Sequence, residues 1–110
     1  YAPARKLINA GITVALATDF NPGSCHIQSM PFIMSLACMH LDMTVEEALQ
    51  SATYSGAKAL GLDNEIGSIE VGKRADLILW EIDSLLDIPY YVSNHPIGRV
   101  LKNGKVVFGA

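Results

Sequence analysis

The sequence predicts an α/β chain: a helical first part built around one buried strand, followed by a β-rich C-terminal part. Three observations carry this. Residues 12–18 (Ile-Thr-Val-Ala-Leu-Ala-Thr) are short, uncharged and partly β-branched, as is a strand covered on both faces in a parallel sheet. Residues 32–60 place apolar side chains at helical spacing. Lys102-Asn103-Gly104 lies between apolar runs, and Asn-Gly in that setting is a strong hairpin signal.

The elements follow in order. Residues 4–10 read as a helix with Leu7 and Ile8 on its buried side, stopped by Gly11. The strand at 12–18 comes next, one glycine after the helix, making an αβ unit. Residues 19–30 gather Asn, Pro, Gly and Ser, which is loop chemistry. Pro31 suits the first position of a helix, and Phe32, Ile33, Leu36, Ala37, Met39 and Met43 give that helix an apolar face over residues 32–42. Thr44 with Glu47 forms a capping box for the next helix, whose stripe is Val45, Ala48, Leu49 and Ala52. A third helix spans about residues 54–60 and ends at Gly61. The methionines on these helices read as core filler. Beyond Gly61 the character changes. Residues 67–73 form a glycine-punctuated turn region, residues 75–82 read as a strand, and residues 99–101 and 105–108 flank the hairpin turn. The division is therefore 1–62 and 63–110. A lone buried strand has two open edges that need partners, and the chain begins Tyr1-Ala2-Pro3 without an initiator Met; both suggest a piece of a longer protein.

Composition narrows the function classes. Half of the 110 residues are hydrophobic and the mean hydropathy is +0.27, too apolar for disorder. The net charge is −3 with scattered basic residues, which argues against nucleic acid and against an anionic membrane surface. No apolar stretch has membrane-spanning length. Cys25 and Cys38 form neither a disulfide framework nor a Cys-x-x-Cys metal motif. Free thiols fit a reducing compartment, so the cytoplasm is the expected location.

One loop carries chemistry. Asp19 follows the buried strand at the end where (β/α)8 barrels build active sites. A carboxylate in low dielectric needs a cation or a proton, and a divalent metal with its bound water is one solution. Pro22-Gly23-Ser24 is expected to present backbone N–H groups able to bind an oxyanion, with Asn21 and Ser24 adding side-chain donors. A second reading stands beside this: an Asp ahead of a Pro-Gly turn is commonly an Asx-turn or a helix cap. The residues alone leave both open.

Residues 17–24 (Ala-Thr-Asp-Phe-Asn-Pro-Gly-Ser) resemble the loop after barrel strand eight in the imidazolonepropionase family of the amidohydrolase superfamily, where the pattern is Asp-x-Asn-Pro-Gly-Ser. The similarity continues through Ser29-Met30-Pro31, residues 43–49 and residues 57–62. Residues 67–77 (Gly-Ser-Ile-Glu-Val-Gly-Lys-Arg-Ala-Asp-Leu) are similar to a stretch found across amidohydrolases, where the chain enters a small β domain. The resemblance implies the C-terminal portion of a metal-dependent (β/α)8 barrel plus strands of a small composite β domain. It implies that Asp19 is a metal ligand and proton carrier, that Asn21 and Gly23 contact product, and that Ser24 contacts substrate. The implied metal is zinc or iron, with its remaining ligands outside this chain. The implied reaction is the ring opening of 4-imidazolone-5-propanoate to N-formimidoyl-L-glutamate in histidine degradation.

Further expectations follow. The partner is a small molecule, and open strand edges favour a homo-oligomer. His26 is a surface loop histidine, because the family's histidine ligands come from earlier strands. His40 caps a helix C-terminus, and His95 is a loop residue. One carboxylate does not hold a catalytic metal, so the chain alone is expected to be inactive. Two alternatives remain: a piece of another amidohydrolase, such as a deaminase or a different cyclic amidase, and a non-catalytic α/β interaction module.

Overall fold

The helix ends follow the chemistry of their flanking residues. In the computed structural model, which describes residues 1–109, α1 spans Ala4–Asn9. Gly11 beyond it adopts φ 77°. The Gly11 N–H donates to the Ile8 carbonyl at 2.9 Å and the Ile12 N–H to the Leu7 carbonyl at 3.0 Å, the two bonds of a Schellman motif. The helix α2 spans Met30–His40 behind an N-cap at Ser29, with Pro31 in its second rather than its first position. The helix α3 spans Val45–Ala52 behind the expected capping box. The helix α4 spans Tyr54–Ala59 and ends like α1: Gly61 has φ 72°, and Leu62 N–H reaches the Ala57 carbonyl at 2.8 Å.

Arg5 joins α1 to the start of α3. Its guanidinium donates to both carboxylate oxygens of Glu47 and to the Asp42 carbonyl. Glu47 Oε2 also accepts the Thr44 N–H at 2.9 Å. One carboxylate thus serves both the capping box and an ion pair between helices. The Arg5 bond, with the Thr44 N–H second, holds its pKa down from 4.5 to about 2.

Residues 12–18 depart from expectation. They form no strand, because a strand is defined by a ladder and this segment has no ladder partner among the described residues. Nor are both faces covered. Val14, Leu16 and Thr18 are half-buried while Thr13, Ala15, Ala17 and Asp19 are exposed, a period-two alternation in which only one face meets the helices. The Leu16 N–H donates to the Ser51 carbonyl at 3.0 Å, fastening the segment to α3.

The β-rich part is a three-stranded antiparallel sheet in the order β1-β2-β3. Strand β1 is Leu77–Trp80, shorter than the 75–82 expected; β2 is Ile97–Lys102, starting earlier than expected; β3 is Lys105–Phe108. Asn103 and Gly104 have φ 51° and 79°, as a type I′ turn requires. Asp76 secures this turn: its Oδ1 accepts the Asn103 N–H at 2.8 Å and its Oδ2 pairs with Lys102 Nζ at 2.7 Å. A short helix α5, Asp87–Tyr90, carries no sequence signal because four residues are too few to show a period.

Both parts feed one core. Ala4, Met34, Ala37, Met43, Ala48 and Ile88 are buried together, and Leu16, Trp80 and Ile82 pack against them. Helix α5 lies on α2, where Ser35 Oγ donates to the Pro89 carbonyl at 2.7 Å. No helix among the described residues is long and apolar enough to cross a membrane.

Gly67 is where the turn region meets α4. Its φ is +93°, and an added Cβ would lie 2.6 Å from Ala57 Cβ and 3.2 Å from the Thr53 carbonyl oxygen. Gly67→Ala should therefore cost about 3 kcal/mol through left-handed strain and backbone overlap, read as a lower urea midpoint. The Glu47 pair gives a pH dependence. A carboxylate whose pKa is depressed on folding stabilises above its unfolded value and stops doing so as pH falls. The contribution is complete above about pH 4.5 and lost toward about pH 2. Urea unfolding across that window should show a loss in the wild type that is absent in Glu47→Gln.

Candidate active site

The loop after residue 18 is organised by one side chain. Asn21 Oδ1 accepts the Gly23 N–H at 2.9 Å, the Ser24 N–H at 2.8 Å and the Ser24 hydroxyl at 3.3 Å. Asn21 Nδ2 donates back to the Asp19 carbonyl at 2.7 Å. The Asn21 N–H donates to the Cys25 carbonyl at 2.8 Å, closing an isolated antiparallel bridge. Cys25 Sγ lies 3.2 Å from the Thr18 carbonyl oxygen. An amide suits this position because it carries an acceptor and a donor at fixed separation. Pro22 fixes one φ within the turn.

The loop departs from expectation in three respects. The Gly23 and Ser24 N–H groups do not point outward as an oxyanion cradle but inward, onto Asn21 Oδ1. The Asx-turn belongs to Asn21, not to Asp19. The Asp19 carboxylate accepts no hydrogen bond and joins no ion pair among the described residues, and its backbone has φ 55°, a region that Asp enters more readily than most residues. The reading of Asp19 as a turn or cap acceptor is therefore not what the structure displays. Asp19 is also exposed rather than buried, so the desolvation argument for a neutralising cation does not apply within this chain.

As a metal ligand set the chain is incomplete. Asp19 offers one hard oxygen donor, of the kind zinc and iron sites use. No three His, Cys, Asp or Glu side chains gather among the described residues. His26 is exposed on the same loop. His40 sits in the last turn of α2, where its ring stacks on Tyr1 with centroids 5.0 Å apart.

One contact was not legible in the sequence. His95, expected to be an ordinary loop residue, is half-buried, and its Nε2 lies 2.8 Å from Ser29 Oγ at the downstream end of the loop. The 66 residues between the partners leave no local pattern that could reveal the pairing.

The sequence pattern defining the amidohydrolase family matches residues 1–107. The chain is 51% identical over 106 residues to an imidazolonepropionase from Parabacteroides distasonis, covering 96% of this chain and 26% of that protein. It is 46% identical to one from Symbiobacterium thermophilum, covering 97% and 25%. Its fold is similar to a zinc-bound adenosine deaminase from Xanthomonas campestris, with TM-score 0.86, 28% identity, and coverage of 96% of this chain and 28% of that one. It is also similar to an amidohydrolase from Thermotoga maritima, with TM-score 0.74, 30% identity, and coverage of 96% and 25%. The chain thus spans about a quarter of the length of the curated relatives it matches.

The loop geometry makes a local prediction. Asn21→Ala removes the common acceptor of the Gly23 and Ser24 amides. Hydrogen exchange at those two amides should accelerate about tenfold, the equivalent of one average net hydrogen bond. Exchange within α3 should not change.

Proposed function

The chain belongs to the amidohydrolase family, and on that basis we propose that it forms part of an imidazolonepropionase, the hydrolase that opens the ring of 4-imidazolone-5-propanoate to give N-formimidoyl-L-glutamate. The single observation that carries the reading is the Asp-x-Asn-Pro-Gly-Ser loop, in which Asn21 satisfies the turn and leaves the Asp19 carboxylate free. The identity of about half to imidazolonepropionases over nearly the whole chain supports it. In this reading residues 1–62 are the last strand and trailing helices of a (β/α)8 barrel, and residues 63–110 supply strands of the small β domain. The enzyme is a cytoplasmic homo-oligomer acting on a small molecule.

The roles are those the resemblance implies, and the free Asp19 carboxylate supports them. Asp19 would be one ligand of a divalent metal, zinc or iron, with the other ligands outside this chain. When bound, the metal supplies a water acidic enough to act as nucleophile near neutral pH. The Asp19 carboxylate, left free by the turn, would accept a proton from the nucleophile and deliver one to the departing ring nitrogen, the general acid–base task a carboxylate can perform. Asn21 keeps Asp19 in place through the bond to its carbonyl and, with Gly23, faces the product. Ser24, exposed on the turn, contacts the substrate ring.

The fold is also similar to deaminases, so a substrate panel decides between the two chemistries. The full-length, metal-loaded enzyme should open 4-imidazolone-5-propanoate, and Asp19→Asn should lower kcat by about 10³-fold with the fold intact, within the range for loss of an acid–base group. Deamination of a purine in place of ring opening, or an Asp19→Asn variant as active as wild type, would overturn the reading.

A further inference from the structure

Ser29 does two things at the start of α2. Its Oγ accepts the Phe32 N–H at 3.2 Å, closing the helix N-terminus. The same oxygen lies 2.8 Å from His95 Nε2. His95 is itself held to the sheet. The Ile97 N–H returns to the His95 carbonyl at 2.8 Å, and the Glu81 N–H donates to the carbonyl of Pro96 at 2.8 Å. Pro96 adds a fixed φ between them. The imidazole therefore projects from a braced segment and ends on the residue that terminates the site loop. The upstream end of that loop is tied to α3 through Leu16 and Ser51. Between these anchors residues 19–28 are held mainly by their own turn.

His95 makes one polar contact and leaves the other ring nitrogen unmatched. His95 Nδ1 is buried and has no hydrogen-bond partner among the described residues. Whichever ring nitrogen carries the proton, Nδ1 is left as an unmet donor or an unmet acceptor. One neutral hydrogen bond returns less than an orphaned buried polar atom costs. What the ring does provide is a directional polar contact, made from the segment before β2, at the downstream end of the loop.

We propose that His95 is a positioning residue for the site loop: through Ser29 it fixes the downstream end of residues 19–28 and so the placement of Gly23 and Ser24 against the substrate. This rests on the imidazolonepropionase reading for its kinetic consequence but not for its structural one. A glutamine side chain can bring an amide group to the place Nε2 occupies, and alanine cannot.

The test uses the full-length, metal-loaded enzyme with His95→Ala, His95→Gln, Ser29→Ala and the His95→Ala/Ser29→Ala double variant. Two readouts are taken: hydrogen exchange at Gly23 and Ser24, and steady-state kinetics on 4-imidazolone-5-propanoate. His95→Ala should speed exchange at both amides and lower kcat/KM roughly tenfold to a hundredfold, the scale of a small misplacement of binding groups. The loss should fall mainly on KM. His95→Gln should restore both readouts, and the double variant should be no worse than the more impaired single one. Wild-type exchange and KM in His95→Ala would overturn the proposal, as would losses that simply add in the double variant or a folded His95→Gln that does not rescue. Should His95→Ala fail to fold, Ser29→Ala breaks the same contact from the other side and decides by the same criteria. If the wild-type enzyme does not open the ring, the functional reading falls, and the exchange data alone then decide the positioning role.

Discussion

The loop that carries Asp19 hangs from a segment with no sheet partner among the described residues, so its position depends on how α1 is held. The fork between Arg5 and Glu47 does this. Glu47 lies in the first turn of α3, where a carboxylate also complements exposed N–H groups, and its side chain closes the capping box at Thr44. By accepting the Arg5 guanidinium as well, it sets α1 against the start of α3. The Schellman turn at Gly11 then directs the chain back along α3, and the Leu16–Ser51 bond keeps it there. Cap, ion pair and chain reversal thus share one carboxylate and one glycine.

From that support the loop largely organises itself. A free carboxylate beside a turn is usually captured by the turn's own donors. Here Asn21 occupies those donors, and Asp19 remains available. This division of labour between two short polar side chains is what makes the loop chemically interesting. It also revises the view of Gly23 and Ser24: their backbone N–H groups serve the turn.

The β-rich part is not an appendage. Trp80, Ile82 and Ile88 enter the same core as the helices, and Ser35 and Ser29 on the α2 side bond to Pro89 and His95. The contacts made by α5 and by the segment before β2 converge on the N-terminal half of α2, directly downstream of the site loop. The Asp76 carboxylate, held below its usual pKa chiefly by Lys102, plays for the Asn103-Gly104 turn the part that Glu47 plays for α3. In each case one acceptor stops a local element and ties it to a neighbour.

Features that depend on near neighbours along the chain can be read from the residues. The capping box at Thr44 and Glu47, the glycine stops at Gly11 and Gly61, and the Asn103-Gly104 hairpin were all legible, because each is a short-range pattern with a backbone reason. The loop motif at residues 19–24 was legible as a resemblance. Its internal bonding was not, since both Asp19 and Asn21 can cap a turn and only the folded geometry selects Asn21. Tertiary structure alone decided that residues 12–18 meet the helices on one face and pair with no strand among the described residues, because pairing depends on partners rather than on composition. It alone created α5, too short for a period and held by the burial of Ile88. It alone joined His95 to Ser29, since a hydrogen bond between residues 66 positions apart leaves no trace in local spacing.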